Sequence, residues 1–277
     1  MSKVITIKDR GIGLEYDVGI PDSMIKEIHR GNTDVAVNFA KMILSDIERT
    51  NDGSHTFNKI MGGHKFYFDL DEENQAMKEI ENDFILHGNY EPFTTKLVEE
   101  NVKEGNVCVD VGASHGYFTL LFAKLVGDQG KVYAFEPTDN QFKYLIKNIA
   151  SNGYNMRVIA ENVAAWSSEA VNPELKINMG STRDIRGVRL DDILPTKVDF
   201  IKIDVDGTEL EVLRGLRQTI ENNPQLKMVI EIYPTYVRNM GLDPQEMMNF
   251  LDKYFTCSRI GGDFAGEDYY NLFCIRK

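Results

Sequence analysis

The chain has 277 residues, 42% hydrophobic and 27% charged, enough for an ordinary globular core in one large domain with an extension. Its formal net charge of −12 argues against a nucleic-acid partner, which needs a basic surface. No run approaches the ~18 apolar residues of a membrane-spanning helix, and "MSKVITIKDRG" does not read as a signal peptide. Cys108, Cys257 and Cys274 lack metal-ligand spacing and read as reduced thiols, Cys108 and Cys274 in strands. The expectation is a cytoplasmic protein.

The first hundred residues differ in pattern from the rest. A helix is predicted from near Asp22, and a second from Asp34 to Arg49 with Val35, Phe39, Met42, Ile43 and Ile47 on one face. "TNDGS" breaks it, and two apolar-rich runs around Gly62 and Gly63 read as a β-hairpin. Residues 1–85 are therefore taken as an extension, with the main domain at 86–277. The acidic block "FDLDEENQAMKEIEND" reads as solvated surface. A helix in "EPFTTKLVEEN" then leads into an alternation of strands and amphipathic helices.

The strands are "NVCVDV", "KVYAFEP", "MRVIA", "VDFIKIDVDG" and "KMVIEIYP", with "YYNLFCIRK" closing the chain. Phe118, Leu121, Phe122 and Leu125 share one face of the helix after the first strand, and Phe142, Leu145, Ile146 and Ile149 one face of the next. Strands that are apolar throughout imply a parallel sheet covered on both faces. Ligands of such sheets bind beyond the carboxyl ends of the strands, where strand order reverses. That makes the strand-end residues Asp110, Glu136, Asn162, Asp204 and Glu231 the candidates.

The first of these strands runs into Gly112-Ala113-Ser114-His115-Gly116. The spacing is not the G-x-G-x-x-G of a dinucleotide dehydrogenase, and no Gly-Lys-Ser/Thr of a P-loop is present. An acid at Asp110 repels a pyrophosphate but suits an ammonium group. S-adenosylmethionine carries an ammonium, a sulfonium and a ribose and has no phosphate. Glu136, an acceptor-only carboxylate when ionised, suits the vicinal diol of a ribose.

"NVCVDVGASHGYFTLLFAK", "VYAFEPTDNQFKYLIKNI", "VRLDDIL" and "VDFIKIDVDGTELEVLRGL", in this order, resemble the FkbM family of S-adenosylmethionine-dependent methyltransferases. The resemblance spans roughly residues 86 to 235, and the N-terminal part shares little beyond a hairpin and Tyr90-Glu91-Pro92. It implies an α/β, Rossmann-like class I methyltransferase fold: a seven-stranded, mostly parallel sheet with helices on both faces and its last strand antiparallel. By position it puts Asp110, Gly112, Ala113, Ser114 and Gly116 at the methionine end of the cofactor, Glu136 on the ribose and Asn162 at the adenine, with Asp204 beside the sulfonium. The chain departs from the family at Ser114-His115-Gly116, where Asn-x-Gly is usual, and at Asp206-Gly207-Thr208-Glu209, where Glu-Gly-Ala-Glu is usual.

Family relatives typically methylate hydroxyls of sugars, polyketides or related small molecules, so a small-molecule or glycan acceptor is implied. A hydroxyl needs its proton removed, and Asp204 is the first candidate base. His115 is the second, because an unperturbed imidazole titrates near neutral pH. Asp204, Glu231 and Asp206 have the oxygen ligands that Mg²⁺ takes, yet such acids are common at strand ends, and no metal is expected. Asp191-Asp192 reads as a helix cap. The aromatic N-terminal segment, with Phe57, Phe66, Tyr67, Phe68, Tyr90 and Phe93, is read as an acceptor lid, a contact between copies in a homo-oligomer, or plain packing. Two other readings stay open: a cofactor-binding protein that does not transfer methyl, and, less favoured by the loop, a nicotinamide-dependent oxidoreductase.

Overall fold

The computed structural model describes the backbone of five strands within residues 3–69 and of a short strand at 170–171. Residues 90–168, 185–261 and 269–277 are described with their side chains. The N-terminal strands are β1 (Lys3–Asp9), β2 (Leu14–Ile20), β3 (Ile47–Arg49), β4 (His55–Met61) and β5 (His64–Asp69). β4 and β5 pair antiparallel out to Met61 opposite His64, so the expected hairpin is present. The helix expected up to Arg49 is corrected at its end. Ile47–Arg49 is a strand, because β-branched Ile47 pairs with Phe57 across β3 and β4. The rest of that helix, and the one expected from Asp22, lie outside the described residues. The hairpin of β1 and β2 has no counterpart among the sequence-based expectations.

From Tyr90 the chain builds the main sheet. Helix α1 (Pro92–Asn101) starts on a proline, whose fixed φ and missing N–H suit a first helical turn. β6 (Val107–Val111), α2 (Tyr117–Leu125), β7 (Lys131–Phe135), α3 (Asp139–Ser151) and β8 (Val158–Glu161) follow. A small side sheet holds β9 (Ala164–Trp166), β10 (Ala170–Val171) and β11 (Arg186–Arg189). Next come β12 (Phe200–Ile203), α4 (Glu209–Gly215), α5 (Arg217–Asn222), β13 (Lys227–Ile232), α6 (Pro234–Asn239) and α7 (Pro244–Tyr254). β14 (Phe255–Arg259) and β15 (Tyr270–Arg276) complete the sheet. Asp191 caps α5 from a distance, accepting from the backbone N–H groups of Gln218 at 2.9 Å and Thr219 at 2.7 Å.

The seven strands lie in the order β14-β15-β13-β12-β6-β7-β8. β15 runs antiparallel to both its neighbours, while β13, β12, β6, β7 and β8 pair in parallel. This is the Rossmann-like methyltransferase architecture, with strand order reversing between β6 and β12. Period-2 alternation sends Cys108, Phe200 and Val229 to the face covered by α1, α2 and α3, where they meet Val98, Phe122 and Leu145. Val109, Ile201 and Ile230 go to the other face, against Leu213, Ile220 and Leu251. Both faces are thus buried, as parallel strands require. No helix among the described residues is long and apolar enough to cross a membrane.

The reduced-thiol expectation needs correction. The sequence pattern does not announce β14 as a strand, and its antiparallel register sets Cys257 directly opposite Cys274. The two form a disulfide, and Cys108 is a buried free thiol.

Candidate active site

The loop after β6 is shaped by two close approaches. Gly112 has φ +82°, and a Cβ there would lie 1.7 Å from the backbone oxygen of Asp204, the residue that follows β12. Gly116 has φ +97°, and its Cβ would meet Leu145 Cδ1 of α3 at 2.7 Å. Glycine is the residue that tolerates both the left-handed backbone and the contact. The N–H groups of Gly112 and Ala113 both donate to the Phe135 carbonyl, at 2.9 and 3.0 Å, which fastens the loop to the end of β7.

The loop then wraps Glu136. Ser114, itself at φ +50°, donates its N–H to Glu136 Oε2 at 2.9 Å, and Thr138 N–H donates to Oε1 at 2.7 Å. Glu136 is 4% exposed. Burial pushes its pKa up to about 7, against the opposing pull of the two backbone donors. Each oxygen accepts one of these bonds, and a carboxylate offers about four acceptor positions, so capacity remains for two hydroxyls. The half-buried Asn162 donates its amide to the Glu136 carbonyl at 2.9 Å and so braces the same turn. Between Gly112, Phe135, Pro137, Val163, Val205 and Thr208 lies a cleft lined mainly by apolar groups.

The fold treats the two candidate bases differently. His115 is fully buried, its Nδ1 3.0 Å from Ser114 Oγ and its ring 5.2 Å from that of Tyr144, while its carbonyl accepts from Asn148 at 2.8 Å. It braces the loop from inside. Asp204 is partly exposed, with its Oδ2 accepting from Lys202 Nζ at 2.7 Å. Asp110 is buried and accepts from Thr119 Oγ1 at 2.6 Å. Burial pushes its pKa up to about 6, against Lys202 and the Thr119 bond.

Strand alternation explains why these groups meet. Lys202 stands opposite Asp110 in the parallel pair of β12 and β6, and Glu231 opposite Asn271 in β13 and β15. All of them point to the face that carries α1 and α2. Glu91, with no exposed surface and a left-handed backbone at φ +41°, enters from the start of α1 and accepts from Asn271 Nδ2 at 3.1 Å. The carboxylate oxygens of Glu91, Asp204 and Glu231 lie within 4.8 Å of one another, a grouping able to hold a metal ion. Sequence reasoning missed Glu91 and Lys202 as members of this cluster. A lysine in the middle of the apolar strand "FIKID" was the available signal for the second.

Aromatic rings stand beside the acids. Tyr269 hydrogen-bonds Glu231, whose pKa burial raises well above the usual carboxylate range, with the charges of Asp204 and Glu91 adding to the rise. Tyr233 packs on Tyr236 with ring centroids 4.0 Å apart and meets Tyr269 edge-on at 5.3 Å. Gly207 at φ +103° lets the loop after β12 lie against the Tyr236 backbone, where a Cβ would come within 2.7 Å. Tyr236 and Phe93 remain partly exposed.

The model of the methyltransferase FkbM domain matches residues 110–257. The hexuronic acid methyltransferase AglP of Haloferax volcanii is 24% identical over 207 residues, covering 70% of this chain and 81% of that protein. The methyltransferase sdnD of Sordaria araneosa is 24% identical over 249 residues, covering 73% of this chain and 92% of that one. Among solved structures, methyltransferase FkbM from Methylobacillus flagellatus aligns with TM-score 0.48 and 19% identity, over 72% of this chain and 54% of that one. With the family match extending from Asp110 at the glycine loop to Cys257 in β14, the chain belongs to the FkbM methyltransferase family.

Proposed function

We propose that the protein transfers a methyl group from S-adenosylmethionine to a hydroxyl of a sugar, glycan or other small molecule. The observation that carries this reading is the junction at the sheet's switch point. Gly112 leaves no room for a side chain against Asp204, so backbone lines the approach, and the buried Glu136 stands at the end of the next strand. The donor set fits the cofactor: an acid without a phosphate-binding turn at Asp110, acceptor capacity for a diol at Glu136, and an apolar-lined recess beside them.

In this reading Glu136 binds the ribose, Asp110 supplies negative charge at the base of the methionine end, and Asn162 and the cleft border the adenine. The bound cofactor supplies an electrophilic methyl group on a sulfonium. Asp204, the partly exposed strand-end carboxylate, orients the acceptor hydroxyl and takes its proton. The partly exposed ring of Tyr236, packed on Tyr233, offers apolar surface for a sugar ring. A relative whose name carries a hexuronic acid supports a sugar-type acceptor.

Calorimetry tests the cofactor. S-adenosylmethionine and S-adenosylhomocysteine should bind, NAD should not, and Glu136→Ala should weaken binding tenfold or more through loss of a charge-assisted contact of ~1.5–3 kcal/mol. Formation of S-adenosylhomocysteine with a panel of hydroxyl acceptors tests the transfer. Unchanged affinity in folded Glu136→Ala protein would sink the ribose assignment.

A further inference from the structure

We propose that Lys202 is a built-in cation of the acceptor end, its ammonium paired with Asp204 and Glu91 in the three-carboxylate cage of Glu91, Asp204 and Glu231 that would otherwise take a divalent ion. The position of this cage at the acceptor rests on the reading above, whereas the occupancy of the cage by Lys202 does not.

A lysine between Ile201 and Ile203 in a central strand is out of place by composition, and its side chain is only 3% exposed. A buried ammonium persists where its charge is matched. Here Nζ lies 2.7 Å from Asp204 Oδ2 and 3.8 Å from Glu91 Oε1, and 4.6 Å from the centroid of the Phe118 ring, within cation–π range. Burial by itself pushes the lysine's pKa down, but the carboxylates of Asp204, Glu91, Glu231 and Asp110 outweigh it, so the ammonium keeps its proton.

A metal at this place would need the same oxygens. Three carboxylates within 4.8 Å of one another match the oxygen-rich coordination of Mg²⁺ or Mn²⁺. Asn271, 2% exposed, adds a polar wall: its amide donates to Glu91 while its Oδ1 makes no hydrogen bond. The ammonium and a divalent ion cannot both occupy this space, since their like charges would lie within a few ångströms in a low-dielectric interior. Lys202 also joins three separate parts of the fold. Asp204 belongs to the end of its own strand, Glu91 to the segment before α1, and Asn271 to β15 through Glu91. A single fixed point charge thereby holds the proposed base in place without a bound ion.

The test measures Mn²⁺ binding by the loss of its free electron-paramagnetic-resonance signal, using the full chain and needing no acceptor. The parent should bind no Mn²⁺ at this cage. Lys202→Ala should gain one bound Mn²⁺ per chain, and adding Asp204→Asn to it should abolish that gain. Lys202→Arg, which keeps the charge, should behave as the parent. If Lys202→Ala folds poorly, Mn²⁺ or ethylammonium should restore its melting temperature, because either returns a cation to the cage. Mn²⁺ binding to the parent that Asp204→Asn removes would overturn the proposal. So would a Lys202→Ala protein that gains neither metal binding nor rescue by a cation. Loss of S-adenosylmethionine binding in the calorimetry above would count against the methyltransferase reading and leave this result standing.

Discussion

Gly112 and the Asp204 carbonyl are packed so closely that a Cβ on the glycine would sit 1.7 Å from that oxygen. This contact joins the ends of the two strands between which sheet order reverses, and it ties the glycine loop to the proposed base. Gly112→Ala should therefore do more than strain one φ. The backbone strain costs about 1 kcal/mol, and overpacking against an unyielding carbonyl adds roughly 1–3 kcal/mol. Gly153→Ala is the control: it has φ +71° but nothing within 4 Å of its Cβ, so only the backbone strain applies. Thermal unfolding of both variants should show the larger drop for Gly112→Ala, with weakened S-adenosylmethionine binding in that variant alone.

Glu136 predicts an inverted pH dependence. Its folded pKa is raised to about 7 from 4.5, so between these values the folded state binds more protons than the unfolded state. Its contribution is fully favourable at low pH and is lost as pH rises through about 7. A tenfold change in a proton-binding constant is worth about 1.4 kcal/mol, so the effect is on the order of a few kcal/mol. The stability advantage of Glu136→Gln over the parent should thus grow between pH 5 and pH 8 in denaturant titrations without cofactor. An advantage that shrinks over that range would contradict the buried, proton-hungry carboxyl.

Asp204→Asn separates binding from chemistry. The amide keeps the shape of the side chain and loses the basicity, so cofactor affinity should change little while kcat falls by roughly 100-fold or more. Weakened S-adenosylmethionine binding with a nearly intact saturated rate would instead mark Asp204 as a cofactor contact. Full activity at saturating substrates would end the general-base role.

The Cys257–Cys274 bond joins residues 17 apart in sequence across β14 and β15. Thiol titration of unreduced, denatured protein should find one free cysteine per chain, Cys108. Reduction should lower the melting temperature, since closing a loop of this size removes about 3 kcal/mol of unfolded-state entropy. Three titratable thiols without reductant would contradict the bond.

Local signals carried much of this protein. Apolar runs ended by Gly112 and Gly207, and helical spacing in Phe118, Leu121, Phe122 and Leu125, are short-range patterns that backbone geometry reads directly. They made the parallel sheet, the loop and the strand-end positions of Asp110, Glu136, Asp204 and Glu231 legible from sequence alone. What depended on distant neighbours was not. His115 looks like an available loop base until α3 brings Tyr144 and Asn148 over it. Cys257 and Cys274 became partners only through the register of β14 against β15. Lys202 and Glu91 are separated by more than a hundred residues, and no local pattern tells a solvated charge from a buried one. Their meeting was decided by tertiary structure, because a charge survives inside a sheet only where strand register and an incoming segment place its counter-charges within a few ångströms.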